Sequence, residues 1–186
     1  MEFQIVKMNV CVNSLIALGL SLSASAFAAD GMISFEGIVN GKTCTLDSGS
    51  QNLTVTLPSV LTTTFSAAGT ASSAAPTQFT LTASGCDVGT VSAAAVFSAG
   101  ANVDSVTGNL KNTFAGGTNA QVRLYKKDGL TPINLANFGD SVTNTGTVDS
   151  GTGTVSVIFF ANYFGAVAPV TPGLLKTSIQ YSMQYL

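Results

Sequence analysis

Apolar and polar positions alternate with a period of two along most of this chain, and the two clearest runs lie at its opposite ends. Near the front, Ile33, Phe35, Gly37 and Val39 alternate with Ser34, Glu36, Ile38 and Asn40; at the end, Ile179, Tyr181, Met183 and Tyr185 alternate with Gln180, Ser182 and Gln184. A two-residue rhythm predicts strands buried on one face. A strand near the start of the mature chain and another ending at its last residues are both free to pair outside their own hairpins. That is a pattern of assembly rather than catalysis.

The interior follows the same rhythm. Leu53, Val55 and Leu57 alternate before Pro58; Phe79, Leu81 and Ala83 before Gly85-Cys86; Val91, Ala93, Ala95 and Phe97 before Gly100. Val122 and Leu124 lead through Lys127-Asp128-Gly129, a hairpin turn, into Ile133 and Leu135. Val155, Val157, Phe159, Ala161 and Tyr163 form the penultimate strand, and Pro169 and Pro172-Gly173 break the chain before a last strand from Thr177 to Leu186. No stretch sustains a 3.6-residue period, although Phe65 to Ala75 has room for a short helical turn. The Thr/Ser/Ala/Gly-rich stretches Thr62 to Thr77, Gly100 to Asn119 and Gly139 to Gly153 read as connections. Short strands at turn-rich intervals predict one all-β sandwich, with no linker and no repeat.

The first residues read as an export signal. Lys7 supplies the positive flank, Val10 to Leu20 is mostly apolar, and Ala26-Phe27-Ala28 offers a small-x-small cleavage pattern, so residues 1–28 are expected to be removed. The apolar run falls short of the about 20 residues of a membrane span. Cys11 goes with the leader. Cys44 and Cys86 remain, and export to an oxidising compartment makes a disulfide between them the default, stabilising the fold by about 4 kcal/mol on the chain-entropy account.

Composition narrows the chemistry. Histidine is absent, which excludes Ser-His-Asp and Cys-His arrangements and His-ligated zinc. Only 9% of residues are charged, and the acids are scattered among turn residues, where Asp is common for local reasons. No catalytic residue, metal site or cofactor is expected. With a net charge of −2 and only Lys126 and Lys127 adjacent, nucleic acid is not an expected partner. Gly151-Thr152-Gly153 resembles part of a phosphate loop, but a strand follows it rather than a helix. Asn52-Leu53-Thr54 matches a glycosylation acceptor inside an expected strand. Tyr163-Phe164 and Phe159-Phe160 stand at core spacing, except that Phe160 falls on the face opposite Phe159 and belongs to an interface or to solvent.

These residues resemble a family. Phe35-Glu36-Gly37, then Val39 and Cys44, is similar to a donor segment running into a first cysteine; Gly85-Cys86-Asp87 resembles the surroundings of the second. Phe159 to Phe164 resembles a strand before last, and Gly173 with the penultimate Tyr185 matches a C-terminal pattern. Together they resemble the type 1 fimbrial major subunits (pilins) of the chaperone-usher pathway of Gram-negative bacteria, over essentially the whole mature chain.

The resemblance implies an incomplete immunoglobulin-like β-sandwich, the pilin fold, completed by a donor strand. Residues 29–41 would be the donor segment, with Ile33, Phe35, Gly37 and Val39 facing a neighbour's groove, and residues 42–186 the pilin domain. The last strand, with Gly173, Ile179, Tyr181, Met183 and Tyr185, would border that groove. A periplasmic chaperone would fill it first, and the next subunit's segment would replace the chaperone at an outer-membrane usher. The product would be a homopolymer at the cell surface that supports cell adhesion. Gly37 stands where the family also has glycine; only Ala29, Asp30 and Gly31 precede the donor rhythm, a shorter lead than in many members. A minor, adaptor or terminating subunit stays open, as does a secreted sandwich whose residues 32–41 fill their own groove. A tip adhesin would carry a further lectin domain.

Overall fold

Nine β-strands and a single short α-helix build the fold (computed structural model), with residues 43–137 and 139–186 described. The leader and the donor row Ile33, Phe35, Gly37 and Val39 lie outside the described residues.

The strands are β1 (Thr45–Leu46), β2 (Thr70–Ala71), β3 (Thr77–Ser84), β4 (Ser92–Phe97), β5 (Gln121–Tyr125), β6 (Pro132–Ile133), β7 (Thr145–Asp149), β8 (Thr154–Gly165) and β9 (Tyr181–Tyr185); α1 spans Ser48–Gln51. Every pairing is antiparallel. β8 is the spine. Its Val155, Val157, Phe159 and Ala161 are buried while Ser156 and Ile158 on the other face are exposed, the arrangement that alternation predicts. β3 lies along one side of β8, and β5 along the other, over Phe160–Phe164. β7 leaves β8 at Val148 and joins β4 at Thr147, and β4 in turn pairs with β9.

This crossing of β7 lets the sheet fold over on itself, and the core fills the fold. Phe159 of β8 stacks on Phe79 of β3 at 5.5 Å and meets Phe97 of β4 edge-on at 5.2 Å. Phe97 in turn meets its cross-strand partner Tyr181 at 6.3 Å. Such pairs add about 0.5–1.5 kcal/mol each beyond the area they bury.

The expected strands at β3, β4, β5 and β8 form, and the hairpin turns at Lys126–Gly129 as read, with Leu135 buried just beyond β6. Four expectations are corrected. Leu53 to Leu57 enters no ladder among the described residues: Val55 and Leu57 are half-buried and Leu53 is exposed. No helical turn occurs within Phe65 to Ala75; a 3-10 turn at Thr62–Thr64 precedes it, and β2 occupies part of it. The last ladder begins at Tyr181 rather than Thr177. β7 lies within a stretch read as a connection, because Thr145-Gly146-Thr147-Val148-Asp149 carries one large apolar residue and no rhythm.

Candidate functional site

The C-terminal run continues its alternation well upstream of β9. Leu175, Ile179, Tyr181, Met183 and Tyr185 are half-buried and pack against the core, while Leu174, Lys176, Ser178, Gln180, Ser182, Gln184 and Leu186 are exposed. The backbone is divided in the same way. Leu186 exchanges both hydrogen bonds with Ser92, at 2.8 and 3.1 Å, and the Gln180 carbonyl accepts from Ser98 N–H at 2.9 Å. In an antiparallel ladder such residues alternate with those whose N–H and C=O face the other way. The even positions of β9 therefore bond to β4, and the odd positions Tyr181 and Met183 turn their backbone groups to the opposite edge.

Upstream of the ladder, side chains and loop backbone take over from β4. Asn102 Nδ2 donates to the Ser178 carbonyl at 2.9 Å, and Thr113 N–H to that of Lys176 at 2.8 Å. Asn112 Oδ1 accepts from Lys176 N–H, and its Nδ2 donates to the Leu174 carbonyl. Again only even positions are engaged. The effect is one long edge from Leu174 to Leu186, tied along one side, whose other side pairs with no strand among the described residues. The expected last strand thus exists as an extended edge even where the ladder is missing.

Segment 53–60, which joins no ladder among the described residues, links the two ends of this edge. It leaves α1, where the Tyr181 hydroxyl donates to the Ser50 carbonyl at 2.5 Å. It arrives at Ser59, Val60 and Leu61, which share a cavity of about 360 Å³ with Val170 to Gly173. Leu57 packs on the core between these points. The side of the C-terminal edge that faces away from β4 is the candidate slot; in the same run the Thr177 hydroxyl is buried and has no hydrogen-bond partner.

Gly173 stands at the head of the edge for a steric reason. Its φ is +150°, and a Cβ there would lie 2.6 Å from Thr118 N and 2.8 Å from the Gly117 carbonyl carbon. Two backbones touch here, and only glycine permits it. At the other end, Cys44 and Cys86 are disulfide-bonded, with Cα atoms 4.0 Å apart. Thr43 and Asp87 reinforce the bond: Asp87 N–H donates to the Thr43 carbonyl, and Thr43 N–H to Asp87 Oδ2, both at 2.9 Å. Four residues beyond Asp87, Val91 N–H donates to the Leu186 carbonyl at 2.7 Å.

Burial raises the pKa of Tyr181, with a smaller push from Tyr185; burial also raises that of Tyr185, with a smaller push from Asp47, so both phenols stay neutral and able to donate. Among the described residues no group of His, Cys, Asp or Glu is placed to hold a metal, and no helix is long and apolar enough to cross a membrane. The structure thus brings together Gly173, Ile179, Tyr181, Met183 and Tyr185 on one edge and joins Cys44 to Cys86. Sequence reasoning missed Asn102, Asn112 and Ser50, since an isolated Asn or Ser in a Thr/Gly-rich stretch carries no signal of its own.

Known proteins with this kind of sequence share one role. The fimbrial protein family model matches residues 33–185. The F17 fimbrial protein of Escherichia coli is 32% identical, over 90% of this chain and 94% of its own length. The major fimbrial subunit SMF-1 of Stenotrophomonas maltophilia is 36% identical, over 87% and 95%. The type-1 fimbrial protein A chain of Escherichia coli K12 is 32% identical, over 91% and 93%. The chain belongs to the fimbrial protein family, the pilins of the chaperone-usher type, and is a structural subunit of a cell-surface fimbria.

Proposed function

We propose that this subunit polymerises with copies of itself by donor-strand exchange: residues 29–41 of one subunit enter the slot beside β9 of the next. The observation that carries this reading is the division of the C-terminal edge: its even positions bond to β4, while Tyr181 and Met183 turn their backbone groups the other way and their side chains to the core. An unpaired edge over an apolar floor is unstable alone and prone to take up a strand. An inserted strand pairs those groups and buries Ile33, Phe35 and Val39, each contributing about 1.5–3 kcal/mol when fully buried. Together they approach the about 5–15 kcal/mol that stabilises a whole domain. Assembly is then the completion of folding and requires no nucleotide.

The same slot needs an occupant before the neighbour arrives. A periplasmic chaperone pairing with β9 fits that need by β-strand addition, the mode already known from chaperone–pilin pairs. Removal of residues 1–28 on export, and exchange at an outer-membrane usher, complete the route to a fibre that supports cell adhesion.

The test is Phe35→Glu, which would force an unpaired charge into the slot at a cost of several kcal/mol. The variant subunit is expected to bind its chaperone and to accept a wild-type donor, yet to donate nothing, so that it caps fibres. Wild-type protein is expected to give SDS-resistant ladders that collapse on heating, and Phe35→Glu to abolish them. Wild-type protein that stays monomeric after chaperone removal, with residues 32–41 protected from protease, would overturn the reading in favour of a self-completed sandwich.

A further inference from the structure

The two ends of the domain differ in a way that inserting a strand does not require. β8 spans the domain, about 36 Å at the usual rise, from the turn beside Cys86 to the turn beside Val170. At the first end lie Thr43, the disulfide, and three exposed apolar side chains, Val88 (104% exposed), Val91 (63%) and Leu186 (42%). At the second lie Leu61 (73%), Val167 (54%) and Leu174 (63%). The second end is built from residues 59–71, 112–120 and 162–175, none of which is charged. The carboxylates near the first end are turned into their own loops: Asp87 Oδ2 accepts from Thr43 N–H, and Asp149 Oδ1 from Gly151 and Thr152 N–H. Two cations do reach the second end, but each is held on one of its own rings: Arg123 lies over Phe164 at 3.6 Å and Lys176 over Phe114 at 5.7 Å.

Fibre geometry decides what these ends meet. The argument rests on the donor-strand reading above. Thr43, the first described residue, is bonded to Asp87 next to Val88, so a donor segment ending at residue 41 is taken to leave from the Val88 end. If it ran parallel to β9, it would finish at the acceptor's Leu186, and two like ends would abut, the isologous contact that closes into a dimer. A fimbria is open, which demands a heterologous, head-to-tail contact. The segment must therefore run antiparallel to β9 and finish beside Gly173. That brings the donor's Val88 end onto the acceptor's Leu61 end.

We propose that Val88, Val91 and Leu186 of one subunit pack against Leu61, Val167 and Leu174 of the next, forming an apolar seam between successive copies in addition to the inserted strand. The seam takes a second copy of this chain as its partner. It stiffens the joint and removes from water large side chains that a monomer leaves exposed.

Two sets of variants test it in assembled fibres. Val91→Cys combined in turn with Leu61→Cys, Val167→Cys and Leu174→Cys is expected to give, in at least one pairing, multimers that survive boiling and vanish on reduction, whereas Val91→Cys alone gives none. Val88→Lys is expected to leave fibres that form but dissociate in warm SDS about ten-fold faster, the loss matching one unburied valine, and Leu174→Glu in the same chain is expected to restore them in part. Wild-type ladders with an unchanged Val88→Lys rate and no cross-link in any pairing would overturn the seam alone. Cross-linking of Val91→Cys to itself would overturn it by showing like ends in contact. Absence of ladders from wild-type protein would instead overturn strand donation. If the cysteine pairs fail to assemble, the Val88→Lys rate decides.

Discussion

The Tyr181 hydroxyl donates to the Ser50 carbonyl across 131 positions of sequence, at 2.5 Å, and Ser50 Oγ accepts from Thr82 N–H of β3 at 2.9 Å. One buried serine thus ties the start of β9 to the C-terminal half of β3. Tyr181→Phe removes the bond while keeping the ring against Phe97. A loss of about 1 kcal/mol in chemical denaturation is expected at neutral pH. Burial raises the Tyr181 pKa above the usual 10.0. Its contribution is therefore complete below pH 10 and lost as pH rises through the raised value. Tyr125, Tyr163 and Tyr185 are shifted in the same direction. The alkaline decline of stability is expected to persist in Tyr181→Phe but with a shallower slope.

Asn112 substitutes for a strand. Its Nδ2 donates to the Thr118 and Leu174 carbonyls, both at 2.8 Å, and its Oδ1 accepts from Phe114 and Lys176 N–H, both at 2.9 Å. The amide thereby fills its hydrogen-bonding capacity and ties the upper part of the C-terminal edge to the loop after Leu110. Asn112→Ala is expected to cost about 2 kcal/mol, given four bonds lost from a half-buried site. Hydrogen exchange locates the effect: the Lys176 amide is expected to exchange much faster, and the Leu186 amide, bonded to Ser92, to stay as protected as in the wild type.

These two residues mark where sequence reading stops. The alternation at Val155 to Ala161 and at Phe79 to Ala83 was enough to place β8, whose faces differ sharply in burial, and β3, where Leu81 and Ala83 are buried and their neighbours half-buried. The row Ile179, Tyr181, Met183 and Tyr185 was legible for the same reason. Leu53 to Leu57 was misread as a paired strand because a period of two reports extension and one-sided burial, not a hydrogen-bonded neighbour. β7 was invisible because Gly146 serves a close approach, a Cβ there meeting the Ser156 carbonyl oxygen at 2.2 Å, rather than an apolar face. Asn102, Asn112 and Ser50 act through contacts distant in sequence, which no local pattern encodes.

The β5–β6 hairpin carries an acid-labile turn. Asp128 Oδ2 accepts from the Thr131 hydroxyl, and its Oδ1 from the Leu130 and Thr131 N–H groups at 2.9 Å. These bonds, the Thr131 hydroxyl first, lower the carboxyl pKa from 3.8 to about 2. A carboxylate depressed by folding contributes above its unfolded pKa, and the contribution is lost as pH falls through the folded value. The Leu130 and Thr131 amide resonances are expected to titrate with a midpoint of about 2. Thr131→Val is expected to raise that midpoint, and a wild-type midpoint near 4 would show that the turn bonds are absent in solution.

Gly173 separates backbone strain from backbone collision. Gly116 has φ +71° with open space where a Cβ would stand, so Gly116→Ala tests strain alone, about 1–2 kcal/mol. Gly173→Ala adds a collision: its Cβ would lie 2.6 Å from Thr118 N, and a Cβ on the neighbouring Gly117 would itself meet the Leu174 carbonyl oxygen at 2.1 Å. Neither backbone can retreat without breaking the Thr118 N–H bond to Leu174 or the Asn112 bonds that hold the head of the edge. Gly173→Ala is therefore expected to destabilise the domain by clearly more than Gly116→Ala, with the damage centred on residues 173–178 rather than on β9. Thermal unfolding of both variants gives the ranking, and exchange at Lys176 and Thr118 gives the place. Equal effects from the two substitutions would mean that the contact at Gly173 relaxes, and that glycine stands there for its backbone conformation alone.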